Sequence, residues 1–370
     1  MTPLVGTRAL VRLGVRRDRI MLPIWVYVLA GLSIITAISF NQLYPTLVSR
    51  LPFAIAVLQN HGLLALTGPP FNLTSIGGLT AWRLGGTAGV LIGLMNIFAV
   101  VRHTRAEEET GRLELIGAGV VGRHAPLAAA LTIALVTDLL IGVVIGVGML
   151  AAGQPAAGSF AFGLSLAVVG AAFAGIAAVA AQLTQTARAA NGLASTVLGA
   201  AFLLRAIGDS ATSSGLSWLH WLSPIGWGQQ VRPYADERWW VLALPLACAV
   251  VAIWLAAVLV ARRDFGAGLF PDRPGPSDAG TTLRGPFSLA LRLQRGTLLG
   301  WLAGFAILGG VLGGIAQDMS GLVNSSQQLR EIVAKLGAGG DVVDSFLSAM
   351  MGILGLLSAV FTVQAVLRLR

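Results

Sequence analysis

The sequence predicts an all-α polytopic membrane protein: a six-helix transmembrane unit followed by the first two spans of a second, parallel repeat. Three observations carry this prediction. Apolar residues dominate the composition, they fall in blocks long enough to cross a bilayer, and a basic motif preceding a span occurs twice.

Hydrophobic residues make up 55% of the 370 residues and charged residues 11%, with a mean hydropathy of +0.79. An ordinary soluble domain carries about 25% charge, and a soluble core of this size cannot hide so much apolar surface. The apolar blocks run to about twenty residues, the length a helix rising 1.5 Å per residue needs to cross roughly 30 Å of hydrocarbon. Backbone facing lipid must satisfy its own hydrogen bonds, so each block is expected to be a helix; the alternating pattern of a barrel strand is absent. Cys248 stands alone and can form no internal disulfide. The basic N-terminal stretch leads into a full-length apolar block without a small-residue cleavage site, so the first span is expected to be retained.

Taken in order, residues 1–20 form an amphipathic N-terminal arm. Its Arg8, Arg12, Arg16 and Arg19, at spacings of four, four and three, share one helical face. Residues 21–262 form the first six-span unit, with spans near 21–41, 84–103, 126–151, 157–182, 192–208 and 239–261. Placing the N-terminus in the cytoplasm puts eighteen of the twenty-five basic residues in inner segments, the bias expected for a bacterial cell membrane protein of that orientation. The net charge of +9 then reads as membrane anchoring, with no nucleic-acid partner. A high-GC bacterium is suggested by the arginine-heavy, lysine-poor usage.

Two outer loops are long. Residues 42–80 include Leu51, Phe53, Ile55 and Leu58, expected to cover the outer leaflet or cap the bundle. Residues 209–238 and the start of the sixth span carry Trp218, Trp221, Trp227, Tyr234, Trp239 and Trp240, rings suited to the headgroup layer. On the inner side, residues 263–283 contain Pro271, Pro274 and Pro276 and read as a linker.

After the linker the chain restarts. Shifted by 276 positions, Arg284, Ser288, Arg292 and Arg295 match the four arm positions, Leu289 matches Leu13, and Trp301 matches Trp25. Both copies begin on the same side, which makes the repeat parallel. Residues 284–370 are therefore read as an arm plus two spans, near 297–316 and 346–367, of an apparently truncated second half. Arg370 corresponds to Arg105, and a second copy of the motif after Arg105 would be expected to follow it.

That motif lies in the inner segment 104–125, RAEEETGRLELIGAGVVGRHAP from Arg105 onward. Arg105 and Glu109 stand one turn apart, so the second span can continue past the membrane before Gly111 ends it; a short helix from Arg112 to about Ile116 follows. Such a charged helix pair attached to two spans can pass a partner's movement into the membrane, although composition alone favours a solvated loop whose glutamates balance the arginines.

The run EEETGRLELIGAGVVGRHAP resembles the coupling-helix region of type-2 (ABC-2 type) ABC exporter permeases. The segment LSPIGWGQQVRPYADERWW resembles the outer loop before the sixth span in the actinobacterial polyketide-antibiotic/tetronasin-like multidrug exporter branch. The resemblance spans essentially the whole chain. It implies a six-helix ABC exporter transmembrane unit, a non-hydrolytic permease in multidrug efflux and antibiotic resistance, exporting amphipathic compounds by alternating access. It also implies a separate cytoplasmic ABC ATPase, in two copies, that carries the ATP and Mg; no cofactor is expected in this chain. By that resemblance Arg105, Glu107, Glu108, Glu109, Gly111, Arg112 and Glu114 contact or position the ATPase.

Other chemistries find no support. The sole lysine, Lys335, lacks a P-loop context. His61, His103, His124 and His220 lack metal-ligand spacing, so no metal is expected. Within the membrane, Asp138 and Asn96 are the substrate-pathway candidates. Two readings of Asp138 stand: it lines a cavity or binds a cationic substrate, or it is hydrogen-bonded to Thr137 or another span. Gly85, Gly89 and Gly93, and Gly142 with Gly146, form small-residue stripes expected to mark close helix packing. Two alternatives to the drug exporter remain at this stage, an ion-coupled secondary transporter and an ABC-type lipid or glycolipid exporter.

Overall fold

The computed structural model describes residues 3–59, 61–112, 119–210, 215–263, 268–269, 283, 285–317 and 342–367. Glu114, the helix proposed for 112–116 beyond Arg112, most of the 263–283 linker, Arg284, Lys335 and Arg370 lie outside the described residues. Every regular element among the described residues is helical. They are α1 (Thr7–Arg17), α2 (Met21–Leu43), α3 (Leu47–Gln59), α4 (His61–Thr67), α5 (Ile76–His103), α6 (Arg105–Glu109), α7 (Ala125–Ala151), α8 (Ala156–Leu183), α9 (Ala187–Ser210), α10 (Pro224–Gln230), α11 (Ala243–Arg262), α12 (Pro286–Gln317) and α13 (Val342–Leu367). Two 3₁₀ turns, Ser217–Leu222 and Trp239–Leu242, flank α10.

The chain divides into two compact units, Met1–Arg50 with Leu64–Asp272, and Leu51–Leu63 with Arg273–Arg370. In the first, six helices are long and apolar enough to cross a membrane: Met21–Leu43, Ile76–Glu109, Ala125–Ala151, Ala156–Leu183, Ala187–Ser210 and Trp239–Arg262. The protein is thus multi-pass. In the second unit, Trp301 of α12 donates to Gln364 Oε1 of α13 (3.0 Å) and its ring meets Phe361 (5.8 Å between centroids).

Helix α8 is the centre of the first unit, with 78% of its apolar window buried against 22% for the first and last spans. Its composition explains the position. In lipid there is no hydrophobic drive between helices, so association relies on close backbone approach through small residues, and α8 reads AAGSFAFGLSLAVVGAAFAGIAAVAAQL. A Cβ on Gly163 would lie 2.0 Å from Gly142 O of α7, and one on Gly175 2.8 Å from Ala252 of α11. The Gly85/Gly89/Gly93 stripe of α5 is also a packing seam, but its partners are varied. Gly89 meets Ile225 of α10 and Gly93 meets Leu198 of α9 and Phe173 of α8.

Three starts differ from expectation. The fifth apolar helix begins at Ala187 rather than 192, and α12 runs unbroken from Pro286, joining the second arm to the span expected from 297. The second apolar helix starts at Ile76, eight residues before the expected 84, because Ser75 caps it by accepting from Gly78 N (3.0 Å). Arg83, which marked the apparent edge of the apolar block, is an exposed residue inside the helix.

At the end of the first unit opposite the arm, the segment before α5 packs against α9 and the residues around α10. Arg205 of α9, fully buried, donates to Ala65 O (3.0 Å) and Leu66 O (3.1 Å), pairs with Asp209 (3.4 Å) and lies 4.6 Å from the Phe202 ring. Trp218, Trp239 and Trp240 are exposed, as a headgroup layer requires, whereas Tyr234 is not. Its ring wedges between Gly77 of α5 and Gly158 of α8, where added Cβ atoms would sit 2.5 and 2.1 Å from it. Ser159 donates to Pro155 O (2.8 Å), so the phenol donates to Ser159 Oγ (3.0 Å); burial pushes its pKa up to about 12, keeping that proton in place. Arg232, Tyr234 and Asp236 all take left-handed backbone angles (φ 56°, 63° and 52°), a strained arrangement held by Asn72 Nδ2 donating to Tyr234 O (2.6 Å) and by Arg232 over Phe71 (4.5 Å).

Candidate functional site

The second apolar helix continues beyond the hydrophobic layer and breaks at Thr104, whose hydroxyl turns back onto Val100 O (2.6 Å). The chain resumes as the single turn α6 and stops at Gly111, which takes the left-handed angle (φ 71°) common just past a helix C-terminus. This short helix holds the three consecutive glutamates, and each reaches a different element.

Glu107 pairs with Arg17 at the end of α1 and lies 3.9 Å from Arg112. Glu108 is nearly buried and accepts from two guanidiniums. Arg105 approaches at 2.8 Å; Arg263, just past α11, makes a paired contact, with Nη1 at 2.9 Å from Oε2 and Nη2 on Oε1. Both arginines are held by the end of α8, Arg105 Nε donating to Ala181 O (2.9 Å) and Arg263 Nε to Gln182 Oε1 (2.7 Å). Glu109 accepts from Ala187 N (2.9 Å), placing a carboxylate at the N-terminus of α9, where the helix dipole favours it.

Asp18 completes the cluster. Its carboxylate, shielded from solvent, meets Arg102 (3.1 Å) and His103 Nε2 (2.6 Å), tying the turn after α1 to the end of α5. The arm is further pinned by backbone contacts from Gly122 N to Val5 O (2.9 Å) and His124 N to Pro3 O (3.1 Å). Arg123 Nε donates to Val260 O of α11 (2.9 Å).

Of the residues singled out by sequence, Arg105, Glu107, Glu108 and Glu109 are brought together here. Glu107 and Glu108 are turned onto the bundle, with 13% and 7% of their side chains exposed; Glu109 is exposed, and Arg112 keeps 60% of its side chain in solvent. The first pair therefore positions the helix, while Glu109 and Arg112 form its outward face. Sequence reasoning missed Arg17, Asp18, Gln182 and Arg263 as members of the cluster. Arg17 lies off the four-four-three face of the other arm arginines, and Asp18 is the only acid in the arm, signals that were available.

Asp138 and Asn96 also come together. Asn96 Nδ2 donates to Asp138 Oδ1 (2.7 Å) and to Ile92 O (2.9 Å), and both side chains are buried. Gly170 of α8 leaves room for the pair, since a Cβ there would lie 2.4 Å from Asp138 Oδ1. Thr137 donates to Ile133 O within its own helix and is not the partner of Asp138 among the described contacts. The pair thus joins α5 to α7 beside α8, which supports the hydrogen-bonded reading of Asp138. Removing it by Asp138→Ala leaves one Nδ2–H of Asn96 without its acceptor and is expected to lower unfolding free energy by about 1–3 kcal/mol; Asp138→Asn restores most of that. Unfolding of the purified variants in SDS measures both.

A family model described as the multidrug efflux system permease Rv1217c, C-terminal domain, matches residues 12–260 and 283–370. The chain is also 43% identical over 365 residues to the multidrug efflux system permease protein Rv1217c of Mycobacterium tuberculosis. That alignment spans 98% of this chain and 66% of the relative, just under two thirds of its length. With most of its length matched in two blocks, the chain belongs to the family of the Rv1217c multidrug efflux permease C-terminal domain.

Proposed function

We propose that this chain is the membrane-spanning permease of an ATP-driven ABC exporter that moves amphipathic compounds, antibiotics and other drugs among them, out of the cytoplasm by alternating access. The observation that carries the reading is the attachment of one short helix to three elements through Glu107, Glu108 and Glu109. A partner pressing on that helix would act at once on the arm, on the end of the sixth apolar helix and on the start of the fifth. The multidrug efflux naming of the family and its relative supports the substrate class.

On this reading the N-terminus and α6 face the cytoplasm of a bacterial cell, and a separate ABC ATPase, in two copies, binds ATP and Mg and docks on the face that Glu109 and Arg112 turn to solvent. This chain is itself non-catalytic. Arg112, exposed and only weakly engaged, reports the contact without disturbing the bundle. Arg112→Glu is expected to reduce co-purification of the ATPase with the tagged permease severalfold while the melting temperature stays unchanged. Retention equal to the unaltered chain would remove Arg112 from the contact. Efflux that follows the proton gradient and ignores ATP would overturn the exporter reading in favour of secondary transport.

A further inference from the structure

We propose that the groove between α2 and α7 binds one anionic phospholipid from the leaflet in contact with the N-terminal arm. Two stripes face each other across it. On α2, Leu22, Val26, Ala30 and Ile34 recur every fourth residue; on α7, Thr132, Val136, Leu140 and Val144 do the same. Helices in lipid gain stability by closing such stripes onto each other, and these close only at the end where Ile34 meets Gly148. They border an open-sided gap of about 860 Å³, in which Val136 and Leu140 stay 60% and 50% exposed.

The lining of the gap suits its occupant. Beyond its charged end the walls are apolar apart from Tyr27, Thr132 and Thr137, a surface that matches flexible acyl chains.

The charge at the mouth selects the headgroup. The end of the groove is closed by Val11, Val15, Asp18 and Arg19. Asp18 is occupied by Arg102 and His103, so it offers no free negative charge. Arg19, with Arg16 one turn earlier, is exposed and makes no ion pair among the described residues. A cationic rim above an apolar slot complements a phosphate-bearing headgroup above its chains and repels a cationic amphiphile. The site stands whether or not the exporter reading does.

Native mass spectrometry of the full-length purified chain in detergent, titrated with phosphatidylglycerol or phosphatidylcholine, tests it. One phosphatidylglycerol is expected to be held about fivefold or more over phosphatidylcholine. The Arg16→Gln/Arg19→Gln variant should bring the two to parity. Leu140→Trp, which fills the slot, should release both; Val136→Phe, a smaller addition, serves if the tryptophan variant does not fold. Equal retention of the two lipids by the unaltered chain overturns the proposal. So does phosphatidylglycerol held undiminished by the filled groove, or a dimer that must dissociate before lipid binds, since a second copy would then be the occupant.

Discussion

Glu108→Ala is expected to lower the unfolding free energy of the protein by about 3–5 kcal/mol, the usual consequence of removing one partner from a buried ion pair. The carboxylate is the shared acceptor of Arg105, 1% exposed at its side chain, and Arg263, 8% exposed. Removing it leaves two nearly buried cations facing each other. Neither can turn away easily, because Ala181 O and Gln182 Oε1 hold their Nε groups. Glu108→Gln should fall between, as an amide oxygen can accept from one guanidinium but carries no charge. SDS unfolding of the purified variants gives the order, and combining Glu108→Ala with Arg263→Met should recover part of the loss by removing one of the two neighbouring cations. A Glu108→Ala variant as stable as the parent would mean that the cluster contributes nothing to holding the sixth apolar helix.

The second large effect lies in the membrane. Gly163→Val is expected to abolish the folded yield or to lower stability well beyond the 1–3 kcal/mol typical of an overpacked side chain. The reason is the identity of the neighbour. The added Cβ falls 2.0 Å from Gly142 O and 3.2 Å from Gly146 N, and backbone cannot swing aside as a side chain does. Helices α7 and α8 would have to part along their length, opening the contact that seats Asp138 against Gly170. Gly163→Ala should already be damaging. Gly199 of α9 supplies the contrast, because a Cβ there meets nothing within 4 Å; Gly199→Ala should be neutral or stabilising by up to about 1 kcal/mol through helix propensity. Detergent-solubilised yield and thermal melting separate the two positions.

These two sites differ in how far sequence could reveal them. Hydropathy is a local property, and it located all six apolar helices of the first unit to within about five residues, save at the start of the second, where Arg83 mimicked the end of a span. The glycine stripes were also legible as packing seams, since spacing of four on a helix is local too. What they pack against was not: Gly89 meets a seven-residue helix, α10, buried in what read as an outer loop. Tyr234 was misread for the same reason. An aromatic next to tryptophans at a membrane edge suggests an anchor, and only the distant Gly77 and Gly158 make it a wedge. The glutamate run was conspicuous in the sequence, but the partners of its carboxylates, Arg17, Arg263 and the amide of Ala187, lie 90, 155 and 78 residues away along the chain. No periodicity links residues at such separations; they meet because the spans return the chain to the same membrane surface.

The three-way attachment of α6 also has a kinematic meaning. A body held at one point swivels and at two points hinges, but three attachments that do not share a line leave it no axis of rotation. With Glu107 on the arm, Glu108 beside α11 and Glu109 on α9, a load on this short helix cannot be spent in turning it. On the exporter reading it displaces the helix ends themselves, and the stroke that reaches the membrane is set by how far those ends can travel together.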